Sequence, residues 1–332
     1  MKLPCRTFLN LACGAAVFGL ASEPWPVQAQ DWPRRPVTMV VPFAAGGATD
    51  IVARLLSLRL SELLGQQVIV ENVGGAGGTT GTARVAKAPP DGYQFVLGNV
   101  GTHAHNQTLY KKPPYDSLRD FAPVVLIADL SIVLLTRKDF PADNLPEFIA
   151  HAKANEAKLQ YGSAGAGSST HLACVLLNAA IGIHVTHVPY RGGAPAMQDL
   201  LAGRIDYQCP TTSTAAAQIE GKTAKGLATL TRNRIALLPD LPTAREQGLS
   251  DFEASFWTAF FLPRNTPAAI IGKLHDATVA AIDTPAVRER MKENGIDVVT
   301  PERRSPEYLA KFVASEIDKW AGPIKASGIS MD

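Results

Sequence analysis

Short apolar runs alternate with stretches of helical periodicity along most of the chain, and each pair is separated by glycine, proline or small polar residues. The runs predict strands at Val37–Val41, Val68–Glu71, Gln94–Gly98, Val124–Ala128, Ile132–Thr136, Leu159–Gly162, Val185–Val188, Arg204–Tyr207, Leu227–Leu230 and Phe256–Leu262. The periodic stretches predict helices at Asp50–Leu64, Thr79–Lys87, Leu145–Asn155, Ser168–Ile181, Ala194–Ala202, Pro267–Ala281, Pro285–Asn294 and Pro306–Ala321. This alternation is typical of an α/β fold with mostly parallel sheets flanked by helices.

Two breaks in the pattern suggest how the chain divides. A polar segment with a proline covers Thr136–Asn144, and prolines recur near Pro239–Gly248. We therefore predict one domain from residues 31–135 plus 250–332 and a second from residues 136–249. The chain would then cross between domains twice, which is typical of a hinge around a cleft. Two consecutive domains are the simpler alternative, and the pattern alone leaves it open.

The first 29 residues have the pattern of a cleaved secretory signal. Lys2 and Arg6 precede an apolar stretch over residues 8–20, and Val27-Gln28-Ala29 offers a small-residue cleavage site. A membrane anchor is the alternative, but the apolar stretch is too short to span a bilayer. A lipoprotein signal at Leu11-Ala12-Cys13 is a second alternative. We expect an exported, periplasmic protein.

Charge and cysteine content narrow the range of functions. The 332 residues carry a net charge of +2 without a basic run, which argues against a nucleic-acid or membrane-surface partner. Cys5 and Cys13 would leave with the signal. Cys174 and Cys209 could pair in an oxidising compartment. We favour the interpretation that both are small core residues, since one lies in an apolar helix and the other follows a short strand.

The most informative motif joins the first predicted strand to the first helix. Small residues and two glycines lead into a helix that Thr49 or Asp50 can cap, with Gly65 as its stop. Such a junction points free backbone N–H groups into one space, where the helix dipole favours an anion. The candidate binding residues of this loop are Phe43, Ala44, Ala45, Gly46, Gly47, Thr49 and Asp50.

Two further glycine-rich turns link a predicted strand to a helix. The turn at residues 71–81 does not fit the dinucleotide fingerprint, because Thr80 stands where the third glycine is required. For any single glycine, a turn that needs positive φ is the better explanation. In this fold class, however, the C-terminal ends of neighbouring strands contribute to one binding site, so we predict that these turns share a ligand. Its candidates are Asn72, Ala76, Gly77 and Gly78 from one turn, and Ser163, Ala164, Ser168 and Ser169 from the turn at residues 161–172.

The remaining motifs indicate neither a metal, a cofactor nor a catalytic apparatus. Gly221-Lys222-Thr223 lacks the glycine that a phosphate loop requires at position 216, and paired histidines such as His103 and His105 lack acidic or thiol partners. Tyr190 could reach a ligand carboxylate. Asp206, predicted near the hinge, could organise backbone N–H groups.

The chain nevertheless resembles one family over its whole mature length. The matching motifs are Val40-Val41-Pro42-Phe43 through Thr49-Asp50, Val70-Glu71-Asn72 with Gly75-Ala76-Gly77-Gly78, Pro90-Asp91-Gly92-Tyr93, Gly162-Ser163 to His171-Leu172, Val188-Pro189-Tyr190-Arg191-Gly192, Asp199 to Asp206 and Leu241-Pro242-Thr243-Ala244. On these residues the chain resembles the Bug-type, TctC-like extracytoplasmic receptors of tripartite tricarboxylate transporters.

The resemblance implies a two-domain periplasmic binding protein of type II, or Venus flytrap, that is not an enzyme. It implies that backbone N–H groups and waters at Phe43–Thr49 and Asn72–Gly78 hold a carboxylate of a small ligand between the domains. By the same resemblance, Gly101, Thr102 and His103 assist from the third strand, and the serine-rich turn closes the other side. Many members have proline at position 45, so Ala45 restores a donor and loosens the turn. We expect a monomer that partners membrane transporter subunits.

Two other functions compete with this interpretation. An exported hydrolase would use Ser168 or Ser169 with His171, although their spacing on a helix does not require them to face each other. A sensor would bind the same ligand but report to a signalling partner. His103, Tyr161 and Tyr190 could favour an aromatic or amide-bearing ligand.

Overall fold

The computed structural model describes residues 32–331, so the predicted signal segment lies outside the described residues. The strands are β1 Val37–Val41, β2 Val68–Asn72, β3 Gln94–Asn99, β4 Phe121–Ser131, β5 Val133–Arg137, β6 Gln160–Ser163, β7 Thr186–Pro189, β8 Tyr207–Gln208, β9 Ala224–Thr229, β10 Ser255–Pro263 and β11 Ile296–Val298. The helices are α1 Ala48–Leu64, α2 Thr79–Ala86, α3 Asn106–Leu109, α4 Leu145–Asn155, α5 Ser169–Ile181, α6 Gly193–Leu201, α7 Thr212–Glu220, α8 Ala268–Ile282, α9 Pro285–Glu293 and α10 Pro306–Ala326.

The first sheet has six strands in the order β11-β4-β10-β3-β1-β2, and we call the part of the molecule built on it the first lobe. β1 lies parallel to β2 and β3, whereas β10 is antiparallel to both β3 and β4. β1 is buried at every position except Thr38, as its mostly apolar sequence predicts. The expectation of a mostly parallel sheet is therefore wrong for this half, because β4 leaves towards the second sheet and β10 returns beside it in the opposite direction.

The second sheet has five strands in the order β7-β6-β8-β5-β9, and it forms the second lobe. β6 is parallel to β7 and β8, but β5 is antiparallel to β8 and β9. This sheet is also mixed rather than mostly parallel. The two mixed sheets, each flanked by helices, give the two-domain α/β architecture that the sequence predicts.

The two crossings between the sheets run side by side. A single residue, Ile132, separates β4 from β5, and its carbonyl oxygen accepts a hydrogen bond from Leu230 N at 2.8 Å. Leu230 in turn accepts from Ala254 N at 2.8 Å, just before β10 returns to the first sheet. Paired extended segments of this kind are suited to act as a hinge. The predicted boundary after residue 135 falls within β5, and the boundaries themselves stay predictions.

One prediction about the core is wrong. Cys174 in α5 and Cys209 after β8 are both buried, as expected of core residues, but they form a disulfide with a Cα–Cα distance of 5.6 Å. Both cysteines lie in the second lobe, so the bond fixes α5 to the central strand of the second sheet. Burial in an apolar setting does not distinguish a free cysteine from a paired one, which is why the pattern misled.

Several short elements escaped the pattern. α7 reads Thr-Ser-Thr-Ala-Ala-Ala-Gln-Ile-Glu, and because it has no clear apolar stripe, periodicity does not predict a helix there. The three-residue β11 and the π-helical turn at Gly101–His105 are too short for periodicity to detect. Among residues 32–331, no helix combines the length and the apolar character needed to cross a membrane.

Candidate functional site

A narrow cleft separates the two lobes, and its cavity volume is about 30 Å³. The first lobe contributes Phe43, Gly47, Ala48, Thr49, Asn99 and Phe256. The second lobe contributes the first residues of α5, α6 and α7, together with Ala164 and Gln208. Helix N-termini from both lobes therefore surround one small space, and each of them is a centre of positive potential.

The β1–α1 junction brings an uncapped helix start to this cleft. Gly47 is the N-cap of α1, and it provides no side chain to bond the N–H groups of the first turn. Those first N–H groups have no partner inside the helix either. Gly47, Ala48 and Thr49 line the cleft, so this end of α1 is suited to hold a carboxylate by backbone donors and dipole.

Asp50 stabilises the loop of that junction through hydrogen bonds. Its carboxylate accepts hydrogen bonds from Gly46 N at 2.8 Å, Asn72 Nδ2 at 2.9 Å and Arg54 Nε at 2.8 Å. Burial opposes ionisation of Asp50, but the hydrogen bonds from Arg54, Gly46 and Asn72 outweigh burial and hold its pKa below the usual value. Because Arg54 neutralises it, Asp50 fixes the loop without repelling an anion in the cleft.

The second glycine turn lies at the rim rather than in the cleft. Asn72 donates to Phe43 O at 3.0 Å, which joins the first two loops. Ala76, Gly77 and Gly78 have φ values of 46°, 61° and 97°, so the turn is left-handed throughout. A Cβ at Gly77 would lie 2.7 Å from Ser168 N of the opposite lobe. Close approach of the two lobes is therefore one reason for glycine here.

The third strand contributes Asn99 to the cleft, while its neighbours lie behind it. Thr102 is fully buried and its Oγ1 accepts a hydrogen bond from Asn99 N at 2.9 Å. His103 is also fully buried and stacks on Phe261 with ring centroids 3.8 Å apart. Burial lowers the pKa of His103 to about 3, so the ring is neutral. Gly101 approaches the second lobe, since a Cβ there would lie 2.9 Å from Ser169 N.

The serine-rich turn divides its residues between the cleft and its support. Ala164 and Ser169 line the cleft. Ser168 is the N-cap of α5 and accepts from His171 N at 3.3 Å, whereas Ser163 Oγ lies 2.7 Å from His187 Nε2 on the far side of the turn.

Three further predicted residues also lie outside the cleft wall. Tyr161 is buried and stacks against His187 and Tyr207. Tyr190 donates its hydroxyl to Asp199 at 2.7 Å. Asp206 accepts from Gln160 N at 2.8 Å and pairs with Arg137, which is the backbone-organising role anticipated for it. The predicted residues that do line the cleft are Phe43, Gly47, Thr49, Ala164 and Ser169. Ligand contacts for all of the predicted residues stay predictions.

Sequence reasoning missed much of the second lobe's wall. Thr170 and Gly193 line the cleft but are not among the predicted residues. The junction from β8 to α7, a helix that the pattern does not predict, contributes Gln208, Pro210, Thr211 and Thr214. The Cys-Pro-Thr-Thr-Ser-Thr run at 209–214 could have been recognised as a strand end followed by N-cap residues.

Direct contacts between the lobes close the rim of the cleft. Ala44 N donates to Arg191 O of the second lobe at 3.0 Å. Gly192 lies against the same alanine, since a Cβ on it would be 2.9 Å from both Ala44 N and Ala44 Cβ. The structure thus has the lobes in contact along a backbone seam that tolerates no extra atoms.

The geometry does not assemble the predicted pair of Ser168 or Ser169 with the His171 ring for hydrolysis. His171 meets Ser168 through its backbone N–H, and its ring Nδ1 accepts from Gly167 N at 3.1 Å. Burial, together with the nearby His187, lowers the pKa of His171 to about 3. Within the described part of the chain, no group of three or more His, Cys, Asp or Glu side chains could hold a metal ion.

Two lobes on mixed sheets, a double crossing and a cleft between them define a solute-binding protein of the periplasmic type. The model of the tripartite tricarboxylate transporter family receptor matches residues 52–329. A UPF0065 protein from the TAR-I ttuE-ttuC' intergenic region of Agrobacterium vitis is 42% identical over 306 residues, covering 92% of this chain and 88% of the relative.

Solved structures agree with this match. The periplasmic binding protein BugD is 40% identical with a TM-score of 0.88, covering 91% of this chain and all of that one. MatC from Rhodopseudomonas palustris, solved with bound malate, is 40% identical with a TM-score of 0.86, covering 88% of this chain and all of that one. The chain belongs to the tripartite tricarboxylate transporter receptor family, whose Bug proteins are periplasmic solute-binding receptors. It is not an enzyme, and the hydrolase hypothesis is wrong.

Proposed function

We propose that this protein captures a small carboxylated metabolite in the cleft and delivers it to the membrane subunits of a tripartite tricarboxylate-type transporter. A ligand carboxylate would lie at the start of α1, held by the backbone N–H groups of Ala48 and Thr49. The second lobe would then close over the ligand along the seam between Ala44 and Arg191.

One observation carries the proposal. The uncapped first turn of α1 faces a cleft in which no lining residue of the described chain has a charged side chain. An anion there would be held by helix N-terminal donors and neutral polar side chains alone. The malate bound in the related MatC supports the same ligand class.

A thermal-shift screen tests the ligand class. Mono-, di- and tricarboxylates, amino acids and aromatic acids would be compared with their neutral amides at equal concentration. A carboxylate at 100 times its Kd stabilises the folded state by about 2.7 kcal/mol, an effect easily seen in the midpoint. We expect shifts from some carboxylates and none from their amides. Equal shifts from both, or no shift from any acid, would refute the proposal.

Closure should accompany binding if the two crossings act as a hinge. We further propose that residues 31–135 plus 250–332 and residues 136–249 move as two bodies. Small-angle scattering should then show a smaller radius of gyration with a stabilising carboxylate than without it. If the unliganded protein is open and its radius of gyration does not change when the ligand saturates it, the hinge is contradicted.

Export is proposed from the N-terminal pattern. We infer that the signal is removed after Ala29 and that the mature protein acts in the periplasm as a monomer. Fractionation followed by N-terminal sequencing should find Gln30 as the first residue, and light scattering should give the mass of one chain. A full-length chain retained in the cytoplasm would contradict the inference about export.

A further inference from the structure

Gln208 stands out in the second lobe because it is polar, nearly fully enclosed and incompletely bonded. It ends β8, the central strand of the second sheet, and only 3% of it is exposed. Its position among the cleft residues directs it towards whatever the cleft holds. A buried amide usually has partners for both its oxygen and its nitrogen.

The orientation of the Gln208 amide follows from its neighbour. Gln208 Nε2 lies 3.2 Å from Met197 Sδ of α6. A thioether sulfur accepts hydrogen bonds weakly and has no hydrogen to donate, so the nitrogen rather than the oxygen must face it. The carbonyl oxygen is then the atom left for the cleft.

That oxygen has no partner among the described residues. No donor within residues 32–331 bonds Gln208 Oε1. The oxygen is nevertheless not among the unbonded atoms that are fully enclosed, so part of its surface is accessible. It therefore reaches open space, and the space that Gln208 lines is the cleft. A ligand that displaces water from this oxygen and donates a hydrogen bond to it binds more tightly than one that displaces the water without donating.

A nearby hydroxyl has the same polarity. Thr214 also lines the cleft, and its Oγ1 donates to Thr211 O at 3.0 Å. With its hydrogen engaged, Thr214 Oγ1 presents lone pairs to its surroundings. Besides its helix N-termini, the second lobe thus offers two neutral acceptors, Gln208 Oε1 and Thr214 Oγ1, whereas the start of α1 offers donors. A second carboxylate would face lone pairs at Gln208.

We propose that Gln208 is a specificity-determining residue that selects carboxylates bearing a hydroxyl, amino or amide N–H group over their unsubstituted analogues. The inference rests on the proposed function and adds to it the chemistry of the ligand's other end. The carboxylate binds at α1, and the donor group binds Gln208 Oε1.

Matched pairs of ligands test the inference on the wild-type protein. Calorimetry would compare L-malate with succinate, L-lactate with propionate, and 4-hydroxybenzoate with benzoate. We expect the donor-bearing member of at least one pair to bind at least tenfold more tightly, and the unsubstituted member never to bind better. Equal or reversed affinities in every pair that binds would overturn the inference while leaving the proposed function intact. Binding by none of these six acids would overturn the inference, and binding by no acid of the thermal-shift screen would overturn the proposed function as well.

Two variants test whether Gln208 causes this preference for donor-bearing ligands. Gln208→Leu removes the acceptor, so the two members of the preferred pair should bind within about twofold of each other, while the unsubstituted member keeps its wild-type affinity. Gln198→Leu replaces an exposed glutamine of α6 and should leave the tenfold preference unchanged. A preference that survives in Gln208→Leu would overturn the role of this residue. Should that variant unfold, the wild-type pairs still decide whether the ligand carries the donor.

Discussion

Replacing Gly192 with alanine should weaken ligand binding without harming the unliganded fold. Gly192 has a φ of 172°, an extended backbone that alanine adopts freely. The new Cβ would lie 2.9 Å from Ala44 N and 2.9 Å from Ala44 Cβ, and both of those atoms belong to the first lobe. The overlap therefore exists only when the lobes meet, so the closed form alone is destabilised.

The size of the effect follows from that overlap. Overpacking at a tight contact costs about 1–3 kcal/mol. Because the open form escapes this cost, the full amount opposes closure. At about 1.4 kcal/mol for each tenfold change, affinity should fall by roughly 5- to 150-fold.

Calorimetry with the carboxylate that gives the largest thermal shift measures this loss, and a melt without ligand checks the fold. Gly272→Ala is the matched control, because a Cβ at Gly272 meets nothing within 4 Å and alanine suits a helix interior. Adding Ala44→Gly to Gly192→Ala should recover part of the affinity, since one of the two closest atoms is removed. Wild-type affinity in Gly192→Ala, with an unchanged melt, would refute closure along this seam.

Three further predictions concern stability. Asp50→Asn removes the negative charge and turns one of the two acceptor oxygens into a donor, so it should lower the free energy of unfolding by about 2–3 kcal/mol in urea titrations; an unchanged midpoint would contradict its role in the loop. Replacing Cys174 and Cys209 with serine opens a link across 35 residues and should cost about 3–4 kcal/mol, measured against the wild type with and without reductant. Burial holds the pKa of His171 at about 3 and that of His187 at about 4, below the value near 6.5 of an unfolded chain. The stability that the two neutral histidines contribute is complete above pH 6.5 and is lost as the pH falls towards those pKa values, by up to about 1.4 kcal/mol per pH unit for each histidine. The melting temperature should therefore fall more steeply between pH 7 and pH 5 in the wild type than in the His171→Gln, His187→Gln double variant.

Periodicity located the elements that bury a regular face. β1 and α4 lie at the predicted bounds because a β-branched, mostly apolar run and an N-capped amphipathic stretch are strong local signals. The direction of the strands could not be predicted in the same way. Whether β10 runs with or against β4 depends on where the chain goes between them, and that information is not contained in either segment.

The site was predictable where a glycine turn meets a helix start, as at Gly47 and Ser169. It was not predictable at Gln208, whose role depends on Met197 fixing its amide from another helix. Polar residues of the predicted set, such as His103, turned out to be packed behind the cleft, because a sequence does not show which side of a strand end faces the ligand.

The most direct test is a crystal structure with the tightest-binding carboxylate. The account predicts that the ligand lies between the lobes with a carboxylate oxygen within hydrogen-bond distance of Ala48 N or Thr49 N, in the first turn of α1. A ligand carboxylate paired instead with a charged side chain, or a ligand bound outside the cleft, would contradict it.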